Sequence, residues 1–317
     1  FSFGDEEPEL WLPGQPCPQR VVEHVQAGGR IVAWNAPFEL CMWQEVACKK
    51  YGFPPVRPEQ FWCTAARAAN MGLPRDLDGS ASALGTPVQK DAEGRRIMLK
   101  LAKPRKPTKN DARTRWTPEM VPDDFRRLYA YCGSDVKAER GVGDVVRPLS
   151  ARERDIFLLD LRVNRRGVKI DRPLIYSALR VVEQEQRRLS AELAEVTGGA
   201  VSASTQTARL TAWLNEQGMD ADGVAAHEIK AMLEADGTPE PVRVALELRR
   251  EAAKSSTAKL KAMLAAACPD DRIRGSLLYY GAARTGRWSG RLHQPQNFPR
   301  KAPEQGAVEL LARGDAD

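Results

Sequence analysis

The segment from residue 272 to residue 301 constrains the fold of this chain more than any other stretch. It carries six arginines and one lysine, and it contains no aspartate or glutamate. Gly, Ser, Gln and Asn fill the spaces between the cations, and residues 284–300 show no apolar period. We therefore expect neither a helix interior nor a core strand here. Contact with phosphates and base edges suits such a segment best, and a solvated basic loop is the alternative.

Composition supports a folded chain with an acidic partner. A length of 317 residues is enough for two domains, and a hydrophobic content of 42% supports packed cores. The net charge of +6 favours an acidic partner only weakly, because clustering matters more than the total. Six cysteines without a Cys-x-x-Cys pair argue against a zinc site and a disulfide framework. No apolar run is long enough for a membrane span, so we expect no membrane partner.

The first half of the chain reads as an α/β layer. Residues 31–35 form a short apolar run typical of a buried strand, and residues 1–12 are interpreted as another strand and a turn. Apolar periodicity predicts helices over residues 37–51, 63–71 and 118–146. Strands and helices with short connections favour an α/β architecture.

Residues 90–115 differ from their surroundings. They hold ten Lys and Arg against three acids, and they include Gly94, Pro104 and Pro107. This composition predicts a flexible basic loop. A solvated linker and a nucleic-acid contact explain it equally well.

A boundary is predicted at residues 148–150, after which the chain is mainly helical. Ser150 is a candidate N-cap with Glu153 completing a capping box, and Gly167 suits the C′ position of the helix that follows. Further helices are predicted over residues 171–196, 204–218, 227–236 and 240–267.

Two pairs of side chains could carry chemistry. Asn35 and Glu39 lie at a strand-to-helix junction, and Tyr131 and Asp135 lie on a later helix. The spacing of four residues puts Tyr131 and Asp135 on one helix face. Carboxylates and a phenol that converge on a cleft suit two-metal phosphodiester hydrolysis, in which carboxylates hold Mg²⁺ and the phenol orients a water.

The basic segment resembles the primer-binding stretch of family A DNA polymerases, of the bacterial polymerase I type in its phage branch. The matching elements are Thr285-Gly286-Arg287-Trp288-Ser289 and Gln296-Asn297-Phe298-Pro299. Upstream, residues 163–171 resemble the element that opens the thumb of these enzymes. Residues 249–261 resemble a thumb helix that grips the duplex.

The two side-chain pairs resemble the second and third motifs of the 3′→5′ proofreading exonucleases of the same family. Asn35 matches the second motif, where the family more commonly has Asp at the position of Glu39. Tyr131 and Asp135 match the third motif. Neither the first exonuclease motif, Asp-x-Glu on a strand, nor the first palm motif, Asp-x-Ser-x-x-Glu, is found. Asp5-Glu6-Glu7 lies in a polar run and is not expected to supply the missing acids.

The resemblance implies an α/β exonuclease (ribonuclease H-like) domain followed by a mainly α-helical thumb domain. The first would cover residues 1–148 and be truncated at its N-terminus. The second would cover residues 149–317, include the start of the palm and be truncated at its C-terminus. The implied activity is that of a DNA-directed DNA polymerase with a proofreading exonuclease, of which this piece binds DNA but lacks complete catalytic sites.

The resemblance also implies roles for single residues. Glu39, Tyr131 and Asp135 would be catalytic, and Glu39 and Asp135 would hold Mg²⁺. The implied nucleic-acid-binding residues are Asn35, Arg250, Lys254, Lys259, Arg284, Arg287, Gln296 and Asn297.

Implied partners are primer-template DNA, a single-stranded 3′ end and, for the parent protein, deoxynucleotides. The implied state is a monomer in the cytoplasm of a bacterium or of a phage-infected host. Two alternatives stay open. One is a stand-alone 3′→5′ exonuclease, and the other is a non-catalytic DNA-binding protein with an exonuclease-like fold.

Overall fold

A computed structural model of the chain describes residues 1–86, 91–253, 258–298 and 306–313. The chain forms two compact units, and each is built from two segments. The first unit comprises Phe1–Arg165 and Leu277–Ser289, and the second comprises Arg166–Ser276 and Gly290–Asp317.

The described elements of the first half are short strands and helices. The strands are β1 (Ile31–Ala33) and β2 (Phe61–Cys63). The helices are α1 (Gln19–Gln26), α2 (Ala36–Met42), α3 (Cys48–Tyr51), α4 (Thr64–Asn70), α5 (Leu77–Leu84), α6 (Ala92–Ala102), α7 (Pro122–Val145) and α8 (Ala151–Arg166). A π-helical turn, Trp43–Ala47, connects α2 to α3 without a gap. The helix predicted over residues 37–51 is therefore confirmed as one continuous helix.

The described elements of the second half are mainly helices, as predicted. The strands are β3 (Val168–Lys169), β4 (Arg272–Ile273), β5 (Leu277–Ala282) and β6 (Arg287–Gly290). The helices are α9 (Arg172–Val196), α10 (Thr207–Glu216), α11 (Ala226–Glu234), α12 (Glu240–Ala252), α13 (Ala258–Ala266) and α14 (Ala307–Arg313).

The core of the first unit surrounds a parallel pair of strands. Strand β1 pairs with β2 in the register Ile31 with Phe61 and Ala33 with Cys63. Phe61 and Leu40 are fully buried beside this pair, and α8 adds Phe157 and Leu161 to the same cluster. Burial of such side chains contributes about 1.5–3 kcal/mol each. Because α8 completes this core, the first unit extends past residue 148, where the sequence suggested a boundary.

Two expectations for the first unit are wrong. Residues 1–12 form turns and extended chain rather than a strand, and they are held by paired backbone hydrogen bonds between Phe1 and Glu9. Residues 90–115 were expected to be a flexible loop, but they contain α6. That helix forms because Asp91 caps it, with its carboxylate accepting from the Gly94 N–H, and because Ile97 is buried.

The exclusion of a core strand from residues 272–301 is also wrong. Strand β5 places Tyr279, which is only 3% exposed, in the core of the first unit against Phe157. The exclusion holds for β6, whose Arg287 and Trp288 are exposed. The apolar run 277–280 within the basic segment was the missed signal.

The second unit packs helices α9 to α12 around their own core. Leu193, Leu214 and Leu246 are completely buried there. Asp171 caps α9 by accepting from the Leu174 N–H at 2.9 Å. Gly167 adopts the left-handed conformation predicted for the C′ residue of α8, with φ of 71°. Within the described residues, no helix has the length and apolar character that crossing a bilayer requires.

Candidate nucleic-acid interface and hydrolytic site

Asn35 and Glu39 lie together at the start of α2, just after β1. The Asn35 carbonyl accepts hydrogen bonds from the N–H groups of Phe38 and Glu39, which begins the helix. The Glu39 side chain is at the surface, yet the protein atoms around it desolvate the carboxyl and raise its pKa. The Glu39 carboxyl is therefore harder to ionise than that of an ordinary exposed glutamate.

Tyr131 and Asp135 form a hydrogen-bonded pair on α7, as the spacing predicts. Burial and the neighbouring Asp135 carboxylate raise the pKa of Tyr131 to about 12, so its phenol keeps its proton at neutral pH. Burial also raises the pKa of Asp135, while the hydrogen bond from Tyr131 opposes this rise. The pair therefore combines a fixed proton donor with a carboxylate that is costly to ionise.

A small pocket surrounds this pair. Its lining consists of Asp78, Asp91, Arg95, Tyr131, Ser134, Asp135 and Ala138. The acids Asp78 and Asp91 both raise the pKa of Asp135 by charge repulsion. Sequence reasoning missed Arg95, Asp78 and Asp91 because it assigned no helix to the residues of α5 and α6.

Helix α6 is fitted to the Tyr131 ring by a glycine. A Cβ atom at Gly94 would lie 2.4 Å from Cδ2 of Tyr131, so only glycine allows this approach. The same turn is held by Asp91, which caps α6 and pairs with Arg127 of α7. The side of the pocket opposite α7 is thus set by Gly94 and Asp91.

Glu39 and Asp135 were both predicted to hold Mg²⁺, and no contact among the described residues joins them. Among the described residues, no hydrogen bond links Glu39 to Tyr131 or Asp135, and burial alone shifts the Glu39 pKa. No group of three His, Cys, Asp or Glu in the described ranges is arranged to hold a metal ion. The residues present therefore do not form a complete metal site, and the Mg²⁺ assignment stays a prediction.

Strands β5 and β6 form a two-stranded sheet, in which Arg284 lies in the connecting turn and Arg287 is the first residue of β6. The turn between the strands is closed by the Ala282 carbonyl, which accepts from the N–H groups of Thr285 and Gly286. Gly286 has φ of 65°, and a Cβ atom there would lie 2.8 Å from the Tyr280 ring. Both arginines are exposed, and neither forms an ion pair with the described residues. The turn thus presents two uncompensated cations to solvent.

The base of this sheet is anchored to α8 by contacts that the sequence did not reveal. Asn164 accepts from the Leu277 N–H at 2.9 Å and donates to the Leu277 carbonyl at 3.0 Å. Tyr279 donates to the Glu153 carboxylate at 2.6 Å, so that carboxylate serves the sheet, while Ser150 caps α8 as predicted. These bonds hold the arginine-bearing turn on a rigid support.

Gln296 and Asn297 belong to the second unit, in a 3₁₀ turn, Pro295–Asn297. Asn297 donates to the side-chain oxygen of Gln294 at 2.8 Å, and its carbonyl accepts from Lys259. Lys259 also lies over the Phe298 ring, 5.5 Å from its centre. Lys259, predicted to touch phosphates, thus supports the loop that carries Gln296 and Asn297. Both of these side chains are exposed.

Two further residues, Arg250 and Lys254, were predicted to bind nucleic acid. Arg250 is exposed near the end of α12. Lys254, Pro299 and Arg300 lie outside the described residues.

By sequence, the chain is similar to a phage DNA polymerase. The DNA polymerase of Bacillus phage SP02 is 40% identical to it over 311 residues, which cover 96% of the chain and 47% of that polymerase. The chain therefore spans about half the length of the curated relative that it matches. No protein-family model matches the chain. This identity agrees with the resemblance to DNA polymerases described from the sequence.

Proposed function

We propose that the chain is part of a family A DNA-directed DNA polymerase, acting in DNA replication or repair, with a 3′→5′ proofreading exonuclease region. The observation that carries this proposal is the 40% identity to a phage DNA polymerase over 96% of the chain. The motif order adds support, since both exonuclease-like pairs precede the thumb-like and primer-like elements. The whole protein would act in the cytoplasm of a bacterium or of a phage-infected host.

Primer-template DNA would contact the turn between β5 and β6 and the loop of Gln296 and Asn297. Arg287 is exposed on a strand whose neighbour, β5, is fixed to α8, so its guanidinium is presented without a mobile backbone. Such preorganisation lowers the entropic cost of binding. Gln296 and Asn297 offer amide donors and acceptors to backbone or base edges.

The exonuclease region would be built around the Tyr131–Asp135 pair. Its pocket contains the carboxylates of Asp78, Asp91 and Asp135 and a phenol that stays protonated. Mg²⁺ is the metal that such carboxylates would hold. Because the described residues do not complete a metal site, this piece binds DNA in the proposal and does not hydrolyse it efficiently.

The test compares Arg287→Ala with Arg126→Ala, since both arginines are exposed on the first unit and both changes remove one charge. We expect Arg287→Ala to weaken binding to a primer-template duplex by about 1–3 kcal/mol, roughly 5- to 150-fold. Binding to a single strand of the same sequence would fall less. The measurement is fluorescence anisotropy with labelled DNA at fixed salt.

Two results would contradict the proposal. Equal losses on duplex and single strand would reduce Arg287 to a general phosphate contact, and unchanged binding would remove the interface altogether. Mg²⁺-dependent degradation of a 3′ end by the chain alone would instead favour the stand-alone exonuclease.

A further inference from the structure

Residues 103–116, here named the basic turn, follow α6 directly and have a defined fold. Thr108 and Asp111 form a bridge in which the Thr108 N–H donates to the Asp111 carbonyl at 2.9 Å. The Arg105 N–H donates to the Thr114 carbonyl, also at 2.9 Å. These backbone bonds close the chain on itself over a short distance, so the segment is an ordered turn rather than a free linker.

One arginine and one aspartate organise the interior of the basic turn. The Arg105 side chain is only 10% exposed and donates to the Asp111 carboxylate at 2.9 Å and the Arg113 carbonyl at 2.7 Å. Arg113 binds the other oxygen of the same carboxylate at 2.9 Å. Hydrogen bonds from Arg113 and the charge of Arg105 hold the pKa of Asp111 well below its usual range. Asp111, the single acid of the turn, is therefore neutralised by Arg105 and Arg113 of the same turn.

The charged side chains of the basic turn that have no ion-pair partner among the described residues are all cationic. Lys103, Lys106, Lys109 and Arg115 are all exposed, and none of them forms an ion pair with the described residues. Arg115 donates to the Ala102 carbonyl, which fixes it at the end of α6. A rigid cluster of this kind fits a run of negative charges at short spacing.

Helix α6 connects the basic turn to the pocket of Tyr131 and Asp135. Arg95 lines that pocket, and Ala102 is the last residue of the helix. At about 1.5 Å per residue, the backbone positions of Arg95 and Ala102 are roughly 11 Å apart along the helix axis. A few nucleotides of a single strand are enough to reach from the pocket to the turn. Both features belong to the first unit.

We propose that the basic turn binds the phosphate backbone of single-stranded DNA, as a second nucleic-acid surface separate from residues 284–297. The inference rests on the proposed function in taking DNA as the ligand. A strand whose 3′ end reaches the Tyr131–Asp135 pocket passes along α6, and its preceding phosphates lie against Lys103, Lys106 and Lys109. Base identity plays no part in this contact.

The test compares Lys106→Gln/Lys109→Gln with the matched control Lys49→Gln/Lys50→Gln, both measured in the full chain. Both pairs are exposed lysines of the first unit, and both changes remove two charges. The probe is a labelled oligothymidylate of about 20 nucleotides, titrated at several salt concentrations. Loss of two phosphate contacts lowers the slope of log K against log salt by about 1.4 and weakens binding roughly 25-fold at about 0.1 M salt.

The variant Lys106→Arg/Lys109→Arg keeps the charge and should bind as the unchanged chain does, which excludes a folding defect as the cause. An effect of Lys106→Gln/Lys109→Gln no larger than that of the control overturns the inference. Binding of an acidic peptide that is lost in Lys106→Gln/Lys109→Gln, while oligothymidylate binding is not, assigns the turn to a protein partner and overturns the inference as well. Primer-template binding that still depends on Arg287 leaves the proposed function standing in either case.

Discussion

Replacing Gly94 with alanine would push a methyl group into the ring of Tyr131. The added Cβ would lie 2.4 Å from Tyr131 Cδ2 and 2.6 Å from an Asp91 carboxylate oxygen. Neither neighbour can yield freely. Asp91 caps α6 and pairs with Arg127, and Tyr131 is hydrogen-bonded to Asp135.

The expected magnitude follows from two opposing effects. Alanine in a helix is favoured over glycine by about 0.5–1 kcal/mol. Overpacking against a fixed neighbour costs about 1–3 kcal/mol. The net change for Gly94→Ala is thus a loss of stability of up to about 2.5 kcal/mol. Gly141 of α7 is a matched control, because a Cβ there meets nothing within 4 Å, and Gly141→Ala should stabilise by about 0.5–1 kcal/mol.

Urea unfolding followed by tryptophan fluorescence gives the difference between the two variants from their midpoints and slopes. We expect Gly94→Ala to be less stable than Gly141→Ala by about 1–3 kcal/mol. Equal stabilisation of both variants would refute the packing of α6 on Tyr131, and with it the geometry of the pocket.

Two further substitutions test the site and its support. The pKa of Asp135 is higher in the folded protein than in the unfolded chain. Ionisation of Asp135 therefore destabilises the folded protein as the pH rises above the usual aspartate pKa. Asp135→Asn should therefore raise the melting temperature at pH 7 and not at about pH 3, and a pH-independent effect would contradict this. Asn164→Ala leaves both Leu277 backbone groups without their partner and should destabilise by about 1–3 kcal/mol in urea. The exposed Arg162→Ala on the same helix should change little, and equal effects would remove the anchor.

Local signals in the sequence located several elements well. The predicted start, end and caps of α8 are confirmed, because Ser150 and Gly167 act through bonds and dihedral angles within a few residues. The same logic failed for α6, where Asp91 and Gly94 are a usable N-terminal signal but the density of cations suggested a loop. The spacing rule also placed Tyr131 and Asp135 together correctly.

Long-range contacts lay beyond local reasoning. The bond between Asn164 and Leu277 joins residues 113 positions apart, and no period or cap signals it. Glu153 was interpreted as a capping residue, whereas its carboxylate binds Tyr279. The fit of Gly94 to the Tyr131 ring likewise depends on how two helices meet, which one sequence cannot specify.

The first unit takes its last strands from residues that follow roughly 110 residues of the second unit. A ribosome that adds about 5–20 residues per second needs roughly 5–20 s to synthesise that stretch. During this interval Phe157 and Leu161 lack the Tyr279 side of their core, and an apolar surface is open to solvent. The nascent chain thus has an interval in which chaperones can bind, and the first unit cannot close before residues 277–289 have been synthesised.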